Sequence, residues 1–544
     1  MRPRLAHFPL VLGLGASVLL PRSGVAAEPP RTEPPKEASP AALPEELPRL
    51  ILEDGRIPWR PPNADGFWLD LHGEVQLRAE RDSDLPLRAP ISDPTLTTLG
   101  QRTLGTGWMR FGVRLGWKET LRAVLSADFV PNAVMGDLAQ GVSSAGLYAR
   151  DTSVPAAARL REAFVDWNTP IGLLRVGQST SHWGMGLLAN DGDHAMPFGD
   201  YRYGSLVERV LFATRPLGKS SPLTLAIAGD LVFLDTTTSL ADGDSTKQLV
   251  AAATWEKGAQ QVGVYGVRRW QDVSSQGDSG YLDVWIADLA ARGAIALPRP
   301  GVYGYGALEV AGIFGHTNVI RTTPEVLESD IQSYGGAAQL GVISERTAAD
   351  GRRYGSLGVS VEWGYASGDG NPYDATIKRF SFDPNHQVGL VLFPFVMHYS
   401  YARAATNALD PSLAARAPSG VRFLNTYGGV AGAQYVNPVV TVRPTPDIDV
   451  RAGVLVAVAT ADFIDPYGLT VTGKEANFNG GSGKSRDLGV ELDWGFDWRI
   501  PVDKGQVTIG LQQGLLLPGH AFDDAQGHGM RAQGVTQARF GFQF

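Results

Sequence analysis

RDLGVELDWGFDWRI, residues 486–500, decides the fold. Leu488, Val490, Leu492, Trp494, Phe496 and Trp498 share one parity, and Asp487, Glu491, Asp493, Asp497 and Arg499 share the other. Alternation with period 2 is a β-strand with one apolar and one charged face. Strands of soluble proteins average about 5 to 6 residues. This run is longer and suits the ~9 to 11 residues of a tilted membrane strand with margins.

The same texture recurs along the chain. FWLDLHGEVQLRAE (67–80) sets Phe67, Leu69, Leu71, Val75 and Leu77 against Asp70, His72, Glu74, Gln76 and Arg78. GWMRFGVRLGWKE (107–119) sets Met109, Phe111, Val113, Leu115 and Trp117 against Arg110 and Arg114. TQARFGFQF (536–544) alternates Phe540, Phe542 and Phe544 with Gly541 and Gln543. By this rule strands fall near 67–80, 106–118, 120–131, 159–168, 171–179, 204–216, 222–235, 247–257 and 259–271. The second half adds 281–290, 300–315, 330–346, 353–367, 430–443, 447–462, 484–500, 504–518 and 530–544.

That is about 18 strands, an even number as in bacterial barrels. Connections alternate between short ones (118–120, 168–170, 256–258, 443–447, 501–505) and long ones (81–105, 132–158, 180–203, 315–329, 368–429). Short periplasmic turns and longer external loops mark an outer-membrane barrel, and a soluble sandwich has no reason to impose them. The fold class is therefore all-β, a transmembrane antiparallel up-and-down β-barrel in the bacterial outer membrane. Its last strand pairs with the one starting at Phe67, and Phe544 sits at the periplasmic interface. Trp68, Trp117, Trp167, Trp270, Trp363, Trp498 and Tyr365, near strand ends, are expected to form interfacial girdles.

The rest of the chain agrees with that destination. Residues 1–27 have a basic start, an apolar run from Phe8 to Leu20 and small residues up to Ala27, the layout of a cleaved secretory signal. Residues 28–65, rich in Pro and Glu, read as a disordered periplasmic leader, and the barrel occupies 66–544. With 0 Cys among 544 residues, disulfides and thiolate metal sites are excluded. A net charge of -8 without a basic face argues against nucleic acid as a partner.

The inward faces carry the function. They place Arg78, Arg110, Arg114, Arg122, Arg175, Arg209, Arg269, Arg451, Arg531 and Arg539 in the lumen with Asp70, Glu74, Asp128, Glu309, Glu362, Asp449, Glu491, Asp493 and Asp497. The second and third strands form a basic stripe and 484–500 an acidic one. Set across from each other these would make a transverse field, while paired across neighbouring strands they would only keep the lumen wet. Arg531 and Arg539 have Asp70 and Glu74 as partners across the closing seam. In the loop 368–429, VGLVLFPFVM (388–397) is too apolar for water and is expected inside or over the barrel mouth.

Catalytic motifs are absent. NGGSGKS (479–485) ends like a phosphate loop, but Phe478 stands where the first Gly is required. His72, His182, His194 and His398 show no ligand or Ser–His spacing. Asp369, Asn371 and Asp374 in SGDGNPYD offer hard oxygen ligands for Ca²⁺, but such clusters more often make turns. No catalytic residue, metal site or cofactor is expected.

LREAFVDWNTPIGLLRVGQSTSHWGMGLL (160–188) and EWGYASGDGNPYDATIKRFSFDP (362–384) resemble two segments of the alginate-export family of outer-membrane porins. The TQARFGFQF ending is similar to the terminal signal read by the barrel-assembly machinery. The family resemblance implies a monomeric barrel of about 18 strands whose loops narrow the pore around Arg175, Trp183, Asp369 and Asn371. The expected partners are outer-membrane lipid, lipopolysaccharide, the assembly machinery and a polar solute or oligosaccharide. The expected function is a channel for small or oligomeric polar solutes, anionic and carbohydrate-like ones included. A lipase-like barrel enzyme and a sealed structural or adhesion barrel are the alternatives.

Overall fold

A computed structural model describes residues 66–90, 93–137, 158–194, 196–199, 204–218, 220–274, 279–320, 326–371, 373–408, 410 and 420–544. The expected signal (1–27) and leader (28–65) lie outside the described residues, as does most of the connection expected at 132–158.

Among the described residues eighteen long strands hydrogen-bond in chain order. They are β1 (Phe67–Asp82), β2 (Arg102–Trp117), β3 (Leu121–Gly136), β4 (Ala158–Thr169), β5 (Gly172–Thr180) and β6 (Leu206–Thr214). Then come β7 (Leu223–Leu234), β8 (Ser245–Lys257), β9 (Gln260–Val273), β10 (Gly280–Ala296), β11 (Val302–Thr317) and β12 (Ser329–Thr347). The last six are β13 (Arg353–Ala366), β14 (Ala433–Thr445), β15 (Ile448–Ala459), β16 (Asp487–Val502), β17 (Gly505–Pro518) and β18 (Gln533–Gln543). Every neighbouring pair is antiparallel, and β1 closes the ring on β18, with Glu74 opposite Gln543 and Asp82 opposite Val535. A two-residue strand, Thr376–Ile377, adds to β12 in parallel.

Closure removes the unpaired edges that an open sheet would expose. The face parity matches the amphipathic pattern. On β16, Leu492, Trp494 and Trp498 are exposed while Glu491, Asp493 and Asp497 are buried. Exposed apolar side chains ring the outside, from Leu69 and Leu71 on β1 to Phe540 on β18. Soluble monomers rarely expose a continuous apolar surface of this kind, whereas it is the normal exterior of a transmembrane barrel. Among the described residues no helix is long and apolar enough to cross a membrane.

Several details differ from expectation. Trp117, Trp167, Trp270, Trp363 and Trp498 are outward, but Trp68 points inward at 7% exposure and its Nε1 donates to the Lys118 carbonyl at 2.9 Å. The long–short alternation holds throughout: even the shortest loop-side connection, 274–279, is longer than the turns 258–259 and 297–301 on either side of it. The acidic β16 does not face the basic β2 and β3 across the lumen. Only β17, β18 and β1 separate β16 from β2, so the transverse-field arrangement is absent.

Candidate functional site

Two loops fold into the lumen, and carboxylates on the barrel wall hold both by their backbones. The first loop joins β5 to β6. Glu309 on β11 accepts the Leu187 N–H at 3.1 Å and also the Met185 N–H. Asp288 on β10 accepts Trp183 Nε1 at 3.0 Å, and the indole stacks on Tyr265 with ring centroids 5.2 Å apart. The second loop joins β13 to β14. Glu491 on β16 accepts three consecutive N–H groups, from Leu390, Val391 and Leu392, at 2.5, 2.8 and 2.7 Å.

The two anchors share a local design. Gly184 (φ 58°) precedes the donors of the first loop and Gly389 (φ 70°) those of the second. Both occupy the left-handed region that glycine enters without steric cost. A Cβ at either would collide with the carboxylate it faces, Glu309 or Glu491. Several N–H groups converging on one carboxylate satisfy backbone donors that burial would otherwise orphan.

The second loop continues as a π-helical turn, Leu392–Met397, into α1 (His398–Ala408). Val388 and Leu390 to Met397 are buried, packed with Leu85, Leu87, Leu99, Phe463, Tyr467, Phe478 and Phe522 from the neighbouring loops. Arg102 ties α1 to the wall through Asp82 at 2.5 Å and the Tyr399 hydroxyl at 2.8 Å.

The inserted loops also bond to each other. Asp383 N donates to the Leu187 carbonyl at 2.7 Å, and His386 Nδ1 lies 3.0 Å from the Met185 carbonyl. His386 Nε2 reaches Glu362 Oε1 at 3.1 Å, and Tyr435 donates to the same oxygen at 2.6 Å. Burial opposes charge on the His386 imidazole, but the adjoining Glu362 carboxylate outweighs it and raises the pKa. Desolvation, reinforced by Asp235, pushes the Asp383 carboxyl up to about 7.

This septum separates two chambers. The loop-side chamber, about 410 Å³, is lined by Arg209, Arg269, Asp235, Asp369 and Asp383 together with aliphatic side chains of β9 to β12. Two of its three arginines are ion-paired, Arg209 with Asp230 and Arg269 with Asp235, each at 2.7 Å, while Arg379 donates to the Leu424 carbonyl. The turn-side chamber, about 440 Å³, brings Arg292, Arg443, Arg451, Arg499 and Arg539 together against Glu362, Asp449 and Asp497. Asp497 bridges Arg451 (2.6 Å) and Arg539 (2.8 Å from Nε), and Asp449 accepts from Arg443 at 2.9 Å. Five guanidinium groups against three carboxylates leave this chamber basic.

The residues expected to line the pore are thus dispersed. Arg451, Asp497 and Arg539 meet in the turn-side chamber. Arg110, 8% exposed, binds Asp128 and, at 2.7 Å, Asp193, so it anchors the β5–β6 loop. Arg122 and Arg175 clasp Asp166, away from either chamber lining. Arg114 lies opposite Asp70 in the β1–β2 register, and Arg78 lies 3.8 Å from Glu80. Glu491 and Asp493, at 0% and 3% exposure, sit beneath the inserted helix and face no open lumen. Arg539 bonds Asp497, and Arg531 bonds Asp84.

Of the constriction residues, Trp183 is at the septum and Asp369 lines the loop-side chamber. Asn371 is exposed, and its bonds stay within one turn: its N–H donates to Asp369 Oδ1, and its side-chain oxygen accepts the Tyr373 N–H. Arg292 is absent from the sequence-based set because that strand is ended at 290, whereas β10 runs to Ala296. Its parity with Asp288 and Ala290 is the signal that finds it. Where no metal site is expected, the fold gathers His182, Asp191 and His194.

No protein-family model and no curated protein matches this sequence. The chain is similar to solved structures of outer-membrane channels. Pseudomonas aeruginosa OccK9 (OpdG) aligns over 87% of this chain and 98% of its own at 10% identity and a TM-score of 0.47. Acinetobacter baumannii OccAB1 aligns over 87% and 96% at 9% identity and 0.45. Pseudomonas aeruginosa OpdK with vanillate aligns over 87% and 98% at 8% identity and 0.44.

Proposed function

We propose that this chain is an outer-membrane channel that admits small polar, anionic solutes through a passage narrowed by the two inserted loops. The observation that carries the reading is the basic turn-side chamber beneath the septum. Clustered guanidinium groups in a confined lumen raise the local concentration of anions and discriminate against cations. Arg292 strengthens the case, because it lines this chamber and among the described residues has no ion pair within 4 Å. The resemblance of 160–188 and 362–384 to the alginate-export family supports a carboxylated carbohydrate as the solute class. The septum favours single sugars or short oligomers over long chains.

Planar-bilayer recordings under a salt gradient test this. The wild-type channel is expected to pass anions in preference, and Arg292→Glu with Arg443→Glu to shift the reversal potential toward cations. No conductance at any voltage, or a reversal potential indifferent to the double variant, would count against the reading. Arg110 would be a poor probe of selectivity, since it holds the β5–β6 loop through Asp193.

A further inference from the structure

Two imidazoles and one carboxylate converge within the β5–β6 loop. His194 Nδ1 lies 2.9 Å and His182 Nδ1 3.7 Å from Asp191 Oδ1, and the two rings stack with centroids 3.8 Å apart. One ligand atom from each residue falls within 4.8 Å of the other two. Bonds of roughly 2.0 to 2.2 Å to nitrogen and oxygen place donor atoms of a tetrahedral zinc site about 3.3 to 3.5 Å apart. The observed spacing brackets that value, so side-chain adjustment alone would complete the set.

A second observation points the same way. His182 Nδ1 is buried and makes no hydrogen bond. A buried ring nitrogen without a partner is costly, and a coordinated cation would satisfy it. The backbone beneath is held in place independently. Asp193 is bound by Arg110 at 2.7 Å and Arg161 at 2.9 Å, and Asn190 bonds Gly186 and Gly192.

We propose that His182, Asp191 and His194 bind one divalent transition-metal ion of the zinc class in the lumen. Two nitrogens and one carboxylate oxygen suit zinc or its neighbours, while calcium and magnesium demand oxygen-only sets. His182 and His194 both line the turn-side chamber, so coordination positions left open by the protein face the solute path. The ion would tie residue 182 to 191–194, stiffen the first inserted loop, and add positive charge beside Trp183. A carboxylate-bearing solute would find there a metal to dock on.

Calorimetric titration of tag-free, chelator-stripped full-length protein in detergent with zinc chloride tests the proposal. Visible absorption with cobalt(II) reports the ligand set in parallel. One ion per chain is expected, weakened at least about tenfold by His182→Ala, Asp191→Asn or His194→Ala. His520→Ala and His528→Ala, at exposed histidines that each lie beside a carboxylate in the 519–532 loop, should leave affinity unchanged. Absence of zinc binding, or loss of binding through the His520 and His528 variants instead, would overturn it. Heat-modifiable gel migration confirms that each variant keeps its barrel. The His194 side chain is 56% exposed, so its replacement separates loss of a ligand from loss of the fold.

Discussion

The barrel wall and the two inserted loops are built on opposite principles. The wall is periodic: each residue's parity assigns it to lipid or lumen, and backbone ladders do the joining. The loops have no period and, apart from the two residues Thr376–Ile377 that join β12, own no ladder. They are fastened at a few points where a wall carboxylate gathers backbone N–H groups, Glu309 for one and Glu491 for the other. Stability in the wall is distributed, while in the insertions it is concentrated. Damage should therefore spread differently in the two regions, and adjacent residues of β16 offer the sharpest contrast.

Glu491→Ala is expected to have the largest effect. It would leave three buried N–H groups without an acceptor, at about 1–3 kcal/mol each. The segment from Leu390 into α1 should leave the lumen and conductance should rise several-fold, with heat-modifiable migration of the barrel unchanged. A variant that loses the barrel along with the plug would break the comparison. Leu492→Arg, one residue on and facing outward, should do the reverse. A lipid-facing arginine near the bilayer midplane costs about 2–4 kcal/mol, read as a lower urea midpoint for refolding into lipid vesicles, with conductance of the folded fraction unaltered.

A smaller effect is expected from pH. Asp383 and His386 both have raised pKa values, so each stabilises the inserted loop fully below its unfolded pKa. That contribution fades as pH climbs through about 7 for Asp383 and through the raised value for His386. The septum should tighten in mild acid and loosen in mild base. Hydrogen exchange at Asp383 N–H and its neighbours should therefore quicken from pH 6 to pH 8 beyond the intrinsic rate, and Asp383→Asn should flatten the dependence. An unchanged profile in that variant would remove Asp383 from the account.

The same contrast explains what the sequence discloses. Strands such as 486–500 could be placed because apolar and charged residues alternate, and that alternation is the local consequence of standing between lipid and water. Inwardness was legible for Glu309, Glu362 and Glu491. Their work was not, because an inward carboxylate that lines water and one that clasps a folded-in backbone leave the same mark on the pattern. The apolar run 388–397 signalled burial without its partners, which come from loops far away in the chain. His182, Asp191 and His194 meet only because the loop doubles back between Arg110 and Arg161. No spacing rule for helices or strands describes that path.

Pairing of β1 with β18 has a kinetic consequence. It joins segments separated by more sequence than any other neighbouring strands in the ring, so it carries the greatest loop-closure entropy and forms late if local hairpins form first. Until it forms, Phe67–Asp82 and Gln533–Gln543 are two unsatisfied β-edges on one chain, each able to recruit a strand from another molecule. The seam is therefore both the step that completes the barrel and the place where a chain concentrated with its own copies is most exposed to joining the wrong neighbour.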